Sequence, residues 1–195
     1  MKIDLFIFDA SSLAEEVIIN KFGLSEIEAS IFADIKSDLS KKEKLVSYYM
    51  KKKLVGSYRV EKNGKPVCDD FYFNVSHSKG VVVFAKCDDA PIGVDVEVIR
   101  PVDDLLKQYV CNEEEYKYAK DYEKFYEIWT AKEALVKCNG EGLDILPRKI
   151  PALPLNGNKI FIYESYRTKV LKENNYVISV AIKGTQDFEI NRYNF

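Results

Sequence analysis

The stretch from residue 71 to residue 99, FYFNVSHSKGVVVFAKCDDAPIGVDVEVI, most constrains the fold of this chain. β-branched and aromatic residues alternate there with polar ones, and Lys79-Gly80 and the segment 88–91 interrupt the pattern. Such alternation is typical of strands with one buried face, and glycine, aspartate and proline are typical of the turns between strands. The sequence therefore predicts three short strands in the middle of the chain.

Helical patterns flank this strand region. Residues 2–8 read as a first strand, the apolar spacing between residues 11 and 53 predicts helices, and Asn63-Gly64 predicts a turn between two extended pieces. The stretch 103–138 is rich in Glu, Lys, Tyr and Leu and predicts two helices, the second ending at Asn139-Gly140. Two further strand patterns, IFIYESY and YVISVAI, follow towards the C-terminus.

The order of these elements indicates an α+β fold. Strand, helices, strands, helices, strands come in that order with a break near residue 100, which allows two similar α+β halves, 1–100 and 101–195, packed side by side. A cleft between two such halves is a common place for a binding or catalytic site.

Composition excludes several classes of protein. A chain of 195 residues, 47% hydrophobic and 31% charged, can bury one sizeable core or two small ones. Its formal net charge of −2 argues against a general nucleic-acid-binding protein, which would carry a basic excess. The four cysteines form no CxxC pair and have no histidine close by, so a zinc site is not indicated. Because the start lacks a signal-peptide pattern and no apolar stretch reaches about 18 residues, we expect a cytoplasmic protein without a membrane segment.

Asp95 and Glu97 form the first candidate site. They lie in the segment IGVDVEV, 92–98, where the period of a strand places both carboxylates on one face, about 6.6 Å apart along the chain. Two carboxylates arranged in this way can share one Mg²⁺, which prefers oxygen ligands and keeps positions for water or substrate phosphates. The alternative is an edge strand with a solvated acidic face, and this segment alone does not decide between the two.

The second candidate site lies in the helical pattern WTAKEALVK, 129–137. Trp129, Glu133 and Lys137 recur every four residues and therefore share one helix face. A Glu and a Lys four residues apart are also a common surface pair, worth only about 0.2 to 0.5 kcal/mol. Alanine, leucine and valine, however, make this helix apolar nearly all round, and a buried helix seldom keeps charged residues that neither pair nor bind something.

His77, the single histidine, lies in the segment NVSHSKG, 74–80. The hydroxyls, the lysine and the glycine turn around it are suited to binding a phosphate. The alternative is a structural hydrogen bond, which is the usual role of a lone histidine. A catalytic serine triad is not indicated, because the chain has no GxSxG turn.

Together these segments resemble the surfactin-synthetase-activating type of 4′-phosphopantetheinyl transferase. That family is marked by a GKP segment, an FN(I/V)SHS segment, a G(I/V)D(I/V)E strand and a WxxKExxxK helix. This chain has the four in the same order, at 64–66, 73–78, 93–97 and 129–137. Each segment is short, but the ordered set is specific. The resemblance is good over residues 40–145 and extends to the ends only as a general pattern.

The resemblance implies a fold of two similar α/β halves, related by a pseudo-two-fold axis, with the active site in the cleft between them. Residues 1–100 would form the coenzyme A side. Residues 101–195 would supply the helix that binds the metal and the surface that docks a carrier protein, the latter in the region after Gly142. The two halves within one chain imply a monomer.

The resemblance also implies roles for the metal-site residues. Asp95, Glu97 and Glu133 would hold Mg²⁺, the cofactor. Lys137 would pair with the pyrophosphate of coenzyme A. Glu133, directly or through a water that it orients, is the candidate base, so Glu133 and Lys137 are the expected catalytic residues.

Further residues would contact coenzyme A itself. His77 and Lys44 are expected at the 3′-phosphate, although a solvated lysine face is an equally good interpretation of the run 41–53. The complete set of expected coenzyme A contacts is Lys44, Lys65, Pro66, Ser76, His77 and Lys137.

The expected reaction is the transfer of 4′-phosphopantetheine from coenzyme A to a serine of an apo acyl or peptidyl carrier protein, with release of adenosine 3′,5′-bisphosphate. One alternative is a non-catalytic module of the same fold that binds coenzyme A or a carrier protein. A magnesium-dependent nucleotide hydrolase or kinase is a third interpretation, but the chain has no Walker loop and no glycine-rich nucleotide motif.

Overall fold

The computed structural model describes residues 1–62, 64–140, 146–153 and 160–195. Across these residues, no helix has the length and apolar character that crossing a membrane would require. The strands are β1 (Lys2–Asp9), β2 (Arg59–Val60), β3 (Pro66–Val67), β4 (Tyr72–Ser78), β5 (Val81–Cys87), β6 (Ile92–Val98), β7 (Ile160–Tyr163), β8 (Tyr166–Lys172), β9 (Tyr176–Lys183) and β10 (Glu189–Asn194). The helices are α1 (Glu15–Phe22), α2 (Glu26–Ser30), α3 (Asp38–Leu54), α4 (Asp104–Val110), α5 (Glu113–Tyr118) and α6 (Tyr122–Asn139), with a 3₁₀ turn at Pro147–Lys149.

Two four-stranded sheets form the centre of the molecule. The first has the order β10-β1-β5-β4, with β1 parallel to β10 and all other neighbours antiparallel. The second is antiparallel throughout, with the order β6-β9-β8-β7. Strands β2 and β3 form a separate hairpin. The structure is therefore α+β, as the sequence predicts.

Each sheet has one face against a helical layer and the other against its partner sheet. Even-numbered residues of β5, such as Val82 and Phe84, pack with residues of α1 and α3, while odd-numbered ones such as Val83 join a core shared with β6 and β9. The alternation repeats on β6, where Val94 and Val96 enter the shared core. The opposite face of the second sheet packs against α6. Strict alternation of this kind places Asp95 and Glu97 on the face that meets α6.

Side chains join the two sheets where β4 lies beside β6. Asn74, Ser76 and Ser78 lie on one face of β4 and each bonds to a residue 19 or 20 positions later, so the two strands run in the same direction. The contacts are Val94 N to Asn74 Oδ1 (3.0 Å), Ser76 Oγ to Asp95 Oδ1 (2.8 Å), Ser78 Oγ to Glu97 Oε2 (2.6 Å) and Val98 N to Ser78 Oγ (3.3 Å).

Gly93 sets the distance between β6 and α6. A Cβ atom at this position would lie 2.1 Å from the carbonyl oxygen of Ala134 and 2.4 Å from the backbone nitrogen of Cys138. Both are backbone atoms of the helix, so no rotamer change relieves the overlap. The glycine therefore allows α6 to lie directly on the strand that carries Asp95 and Glu97.

We expect Gly93→Ala to destabilise the protein by about 2 to 3 kcal/mol, because α6 must shift away from β6 to admit the methyl group. Urea unfolding monitored by the fluorescence of Trp129 measures the change. Gly23→Ala is the matched control: its φ of 59° strains a non-glycine residue, but its Cβ meets no atom within 4 Å. An unfolding midpoint for Gly93→Ala equal to that of the unmodified protein would contradict the steric argument.

The structure confirms some of the predicted elements and corrects others. The strands predicted at 2–8 and across 71–99 are present as β1 and β4 to β6, and Gly140 ends α6 in the left-handed conformation with φ 78°. The prediction of two helices in 103–138 is wrong. Three form there, because the side chains of Asn112 and Asp121 each accept a backbone N–H and begin a new helix.

The C-terminal part also differs from the prediction. The segment IFIYESY is two strands, divided at Glu164 with φ 50°, and β10 is an additional strand that pairs with β1. Sheet membership does not change at residue 100, since β6 belongs to the second sheet and β10 to the first. Asn63 of the predicted turn, and residues 143–145 and 154–159 of the predicted docking region, lie outside the described residues.

Candidate active site between β6 and α6

Asp95 is the most buried acid of the candidate site. Its side chain is 7% exposed, and its Oδ1 accepts hydrogen bonds from Ser76 Oγ at 2.8 Å and from Lys137 Nζ at 2.5 Å. Its Oδ2 is also buried but has no hydrogen-bond partner within the described part of the chain. Burial raises the pKa of this carboxyl, although Lys137 and Ser76 act in the opposite direction. The orphaned oxygen is a strong unfilled acceptor.

Glu97 lies two residues further along the same strand face. Its carboxylate accepts hydrogen bonds from Ser78 Oγ at 2.6 Å and from the indole of Trp129. Burial raises its pKa, and the charge of Asp95 raises it further, whereas Ser78 and the nearby Arg100 lower it. Trp129, the first residue of the helix face that also carries Glu133 and Lys137, thus orients Glu97.

Glu133 reaches this acidic strand from α6. Burial, followed by the charge of Asp95, raises its pKa from 4.5 to about 7, with Glu97 adding to the shift and Lys137 opposing it. A carboxyl group with a pKa close to neutral exchanges its proton easily at physiological pH. The helix stripe predicted from the four-residue spacing therefore faces the predicted strand pair.

The three carboxylates fit a cation chemically. The pKa of each of the three carboxyls is raised by burial, and the charges of Asp95 and Glu97 raise that of Glu133 further. A divalent cation would relieve this repulsion, because it compensates the negative charge. The buried Oδ2 of Asp95 is free to act as a ligand. Nevertheless, among the residues that the structure describes, no three His, Cys, Asp or Glu side chains converge closely enough to hold a metal ion. Instead, the ammonium group of Lys137 contacts Asp95.

Lys65 and Pro66 lie at the C-terminal end of α6. Lys65 Nζ donates hydrogen bonds to the carbonyl oxygens of Lys137 (2.8 Å) and Cys138 (3.2 Å), and burial lowers its pKa. A cation is favourable there, because the last carbonyls of a helix lack partners within the helix. Lys65, Pro66 and Lys137 line an open groove of about 270 Å³, together with Val75 and Val136. The groove thus connects the GKP segment with the lysine of the candidate site.

His77 lies on the opposite face of β4 from Ser76. Its Nδ1 is 3.1 Å from Glu43 Oε2, and one third of its side chain is exposed. Burial lowers the pKa of His77 and Glu43 raises it, while the positive charges of Lys44 and Lys137 lower it. Both lysines therefore lie close enough to the imidazole to act on its charge. Ser76 and His77, neighbours in sequence, face different parts of the molecule.

The structure distinguishes among the lysines at the start of α3. Lys41 is paired with Glu15 at 2.8 Å, and Lys42 is buried and paired with Asp38 at 2.6 Å. Lys44 is exposed, and its positive charge lowers the pKa of His77. Lys44 is therefore better placed than Lys41 or Lys42 to contribute charge beside the histidine.

Three residues near the site escaped the sequence reasoning. Ser78 orients Glu97. The sequence feature that could have identified Ser78 is that it continues the polar alternation of Asn74 and Ser76. Glu43 holds His77, and it is the only acid in the basic run 41–53.

The third is Lys132, next to Glu133 in sequence. It is 1% exposed, and its Nζ donates to Glu115 Oε2 at 2.5 Å and to the carbonyl oxygen of Val110 at 2.7 Å. Glu115 in turn accepts from the backbone nitrogens of Asn112 and Ala152. The lysine of the WxxKE pattern thus has a structural contact, whereas the glutamate faces the site. The sequence signal that could have identified Lys132 is its charge inside an otherwise apolar helix.

Comparison with known proteins shows which family this chain resembles. Residues 91–181, which include β6 and α6, match the family model of the 4′-phosphopantetheinyl transferase superfamily. The chain is 38% identical over 95 residues to 4′-phosphopantetheinyl transferase psf-1 of Bacillus pumilus, a match that covers 44% of this chain and 40% of that protein.

Two further relatives extend the comparison. The chain is 33% identical over 97 residues to 4′-phosphopantetheinyl transferase Sfp of Bacillus subtilis, covering 45% of this chain and 43% of Sfp. It is 30% identical over 140 residues to 4′-phosphopantetheinyl transferase HetI of Nostoc sp., covering 64% of this chain and 59% of HetI. The chain thus matches between 40% and 59% of the length of these curated relatives.

Proposed function

We propose that the chain is a member of the 4′-phosphopantetheinyl transferase superfamily and that it transfers 4′-phosphopantetheine from coenzyme A to a serine of an apo acyl or peptidyl carrier protein. The observation that carries the proposal is the meeting of Glu133 and Lys137 with Asp95 and Glu97 between α6 and β6. The other product is adenosine 3′,5′-bisphosphate.

The metal-site residues of the proposal are Asp95, Glu97 and Glu133. When bound, Mg²⁺ would supply positive charge where the coenzyme A pyrophosphate gains negative charge during transfer. Ser78 and Trp129 hold Glu97 through hydrogen bonds, so its carboxylate is oriented before any ligand arrives.

Glu133 and Lys137 perform the remaining chemistry. The carrier serine gives its hydroxyl proton to the Glu133 carboxylate, directly or through a water that Glu133 orients. The serine oxygen forms a bond to the β-phosphorus of coenzyme A, and the bond from that phosphorus to the bridging oxygen breaks. Lys137 stabilises the negative charge on the departing bisphosphate. The side chain of Lys137 is 30% exposed, so a ligand phosphate can approach it.

Coenzyme A would bind along β4 and the GKP segment. Lys65 and Pro66 line the groove that leads to Lys137, which supports a place for the adenine side there. Ser76 bonds to both Asp95 and Lys137 and would lie beside the phosphates. His77 and Lys44 would bind the 3′-phosphate, since the imidazole is partly exposed and Lys44 lies close enough to act on its charge.

The finer architecture is also part of the proposal. The helix-covered arrangement of both sheets supports two halves related by a pseudo-two-fold axis with a cleft between them. Residues 1–100 would bind coenzyme A, and 101–195 would supply α6 and the carrier-docking surface. A monomer in the cytoplasm is the expected form.

Transfer is tested by incubating the protein with coenzyme A, Mg²⁺ and a panel of apo carrier proteins, followed by intact-mass spectrometry. We expect one phosphopantetheine on at least one carrier, none on the same carrier with its acceptor serine replaced by alanine, and none with EDTA. Coenzyme A binding without mass gain on any carrier would contradict the proposal and favour a non-catalytic binding module.

A further inference from the structure

Glu43 is a buried acid whose contacts the proposed chemistry does not explain. It lies on α3 in a run of lysines, and its side chain is only 8% exposed. Oε1 accepts the backbone N–H of Gly80 at 2.8 Å, and Oε2 lies 3.1 Å from Nδ1 of His77. Both oxygens of the carboxylate are therefore engaged, one by the turn after β4 and one by the single histidine of the chain.

The two contacts define which nitrogen of His77 carries a proton. A carboxylate only accepts hydrogen bonds, so the contact requires a proton on Nδ1. Nε2 is then the nitrogen available to a ligand, and it can donate only when the ring is the doubly protonated imidazolium. At neutral pH a phosphate monoester is mainly the dianion, whose oxygens only accept hydrogen bonds, so it selects that form.

We propose that Glu43 is a positioning residue that favours the imidazolium form of His77 and directs its Nε2–H towards a phosphate monoester. This inference rests on the proposed function in that the 3′-phosphate of coenzyme A would be the monoester. Carboxylate partners act in a similar way on metal-binding histidines, by fixing the ring orientation and the tautomer.

The charges around His77 show why such a partner is needed. Burial disfavours the positive charge of the ring most, and the charges of Lys44 on α3 and Lys137 on α6 disfavour it further, whereas Glu43 favours it. The pKa of His77 lies below its usual value even with Glu43 in place, and without Glu43 it would fall further. Glu43 therefore reduces the cost of charging the ring when an anion binds beside it.

Glu43→Gln tests the proposal with little risk to folding, because the amide oxygen can still accept from Gly80 N. The chain has one histidine, so its ring protons give a single pair of NMR signals in a pH titration. We expect the pKa of His77 to fall in the variant, since the one group that raises it loses its charge. Glu15→Gln, which removes the partner of Lys41 instead, is the matched control and should leave the titration unchanged.

Calorimetric binding of adenosine 3′,5′-bisphosphate and of adenosine 5′-monophosphate measures the contribution of the 3′-phosphate. We expect Glu43→Gln to reduce the preference for the bisphosphate by about tenfold, and the pH at which that preference is lost to shift downwards with the His77 pKa. In a His77→Ala background, Glu43→Gln should have no further effect on the preference, because Glu43 acts through the ring.

An unchanged His77 titration in Glu43→Gln would overturn the inference, and so would an undiminished preference for the bisphosphate or a full additional loss in the His77→Ala background. These readouts need neither a carrier protein nor turnover. A protein that passes them but transfers nothing to any carrier would refute the proposed function alone.

Discussion

Glu133→Gln is expected to lower the rate of phosphopantetheine transfer by about 10³-fold while the protein stays folded. The amide has nearly the shape of the acid but cannot accept the serine proton, and it is a weaker ligand for a divalent cation. Transfer rates to one apo carrier, measured by mass spectrometry at saturating coenzyme A, test this expectation.

Two companion variants make that experiment specific. Asp95→Ala should also abolish transfer, because it removes the buried acid of the same cluster. Glu123→Gln is the matched control on α6, since Glu123 pairs with Lys172 near the exposed start of the helix. Near-normal transfer by Glu133→Gln or by Asp95→Ala would refute the assignment of the site.

The same Glu133→Gln change should make the metal-free protein more stable above pH 7. A carboxyl whose pKa is raised from 4.5 to about 7 on folding binds protons more tightly in the folded state, so stability falls as the pH rises through this window. Glutamine avoids that loss. Allowing for the partial exposure of the group, the gain at pH 8 is on the order of 2 kcal/mol, and it should vanish near pH 4.5.

Urea unfolding with EDTA at the two pH values measures this difference. A stabilisation of equal size at both pH values would indicate a packing effect and contradict the electrostatic explanation. Loss of activity together with a gain in stability is the expected signature of acids gathered for a ligand rather than for the fold.

Lys132→Met is expected to have the largest effect on stability, a loss of about 3 to 5 kcal/mol in the free energy of unfolding. It leaves the buried Glu115 carboxylate, which is 0% exposed, without its cation, and it frees the carbonyl of Val110. Thermal and urea unfolding measure the loss.

A double variant separates charge from packing in this pair. In Lys132→Met with Glu115→Gln, the amide oxygen can accept only one of the two backbone N–H groups, of Asn112 and Ala152, that the carboxylate accepts. Because the double variant no longer buries an unpaired charge, we still expect part of the lost stability to return. A double variant as unstable as Lys132→Met alone would show that the loss comes from packing and would contradict the ion-pair explanation.

Local patterns predicted the elements that carry the candidate site. Alternation predicted β4, β5 and β6, and the four-residue spacing placed Glu133 and Lys137 on one face of α6, because both periods depend only on neighbouring residues. Strand β10 was missed for the same reason: its pairing with β1 joins the two ends of the chain, and most of its side chains are exposed, so no apolar alternation marks it.

The contacts that tune the site could not be predicted. Glu43 meets His77 across 34 positions of the chain, and Lys132 meets Glu115 across 17 positions. A single lysine-rich run gave no basis for separating Lys44 from Lys41 and Lys42, whose charges are paired with Glu15 and Asp38. These contacts depend on which faces of the helices and strands pack together.

The acid pair Asp95 and Glu97, the helix face with Glu133 and Lys137, and their order along the chain were determined by the sequence alone, since side-chain direction follows the local backbone period. Only the tertiary structure decided that Gly93 brings these two faces together, that burial and mutual repulsion raise the pKa of Glu133 to about 7, and that Lys137 contacts Asp95. The physical reason is that charge interactions depend on distance and on exclusion of water, which packing alone sets.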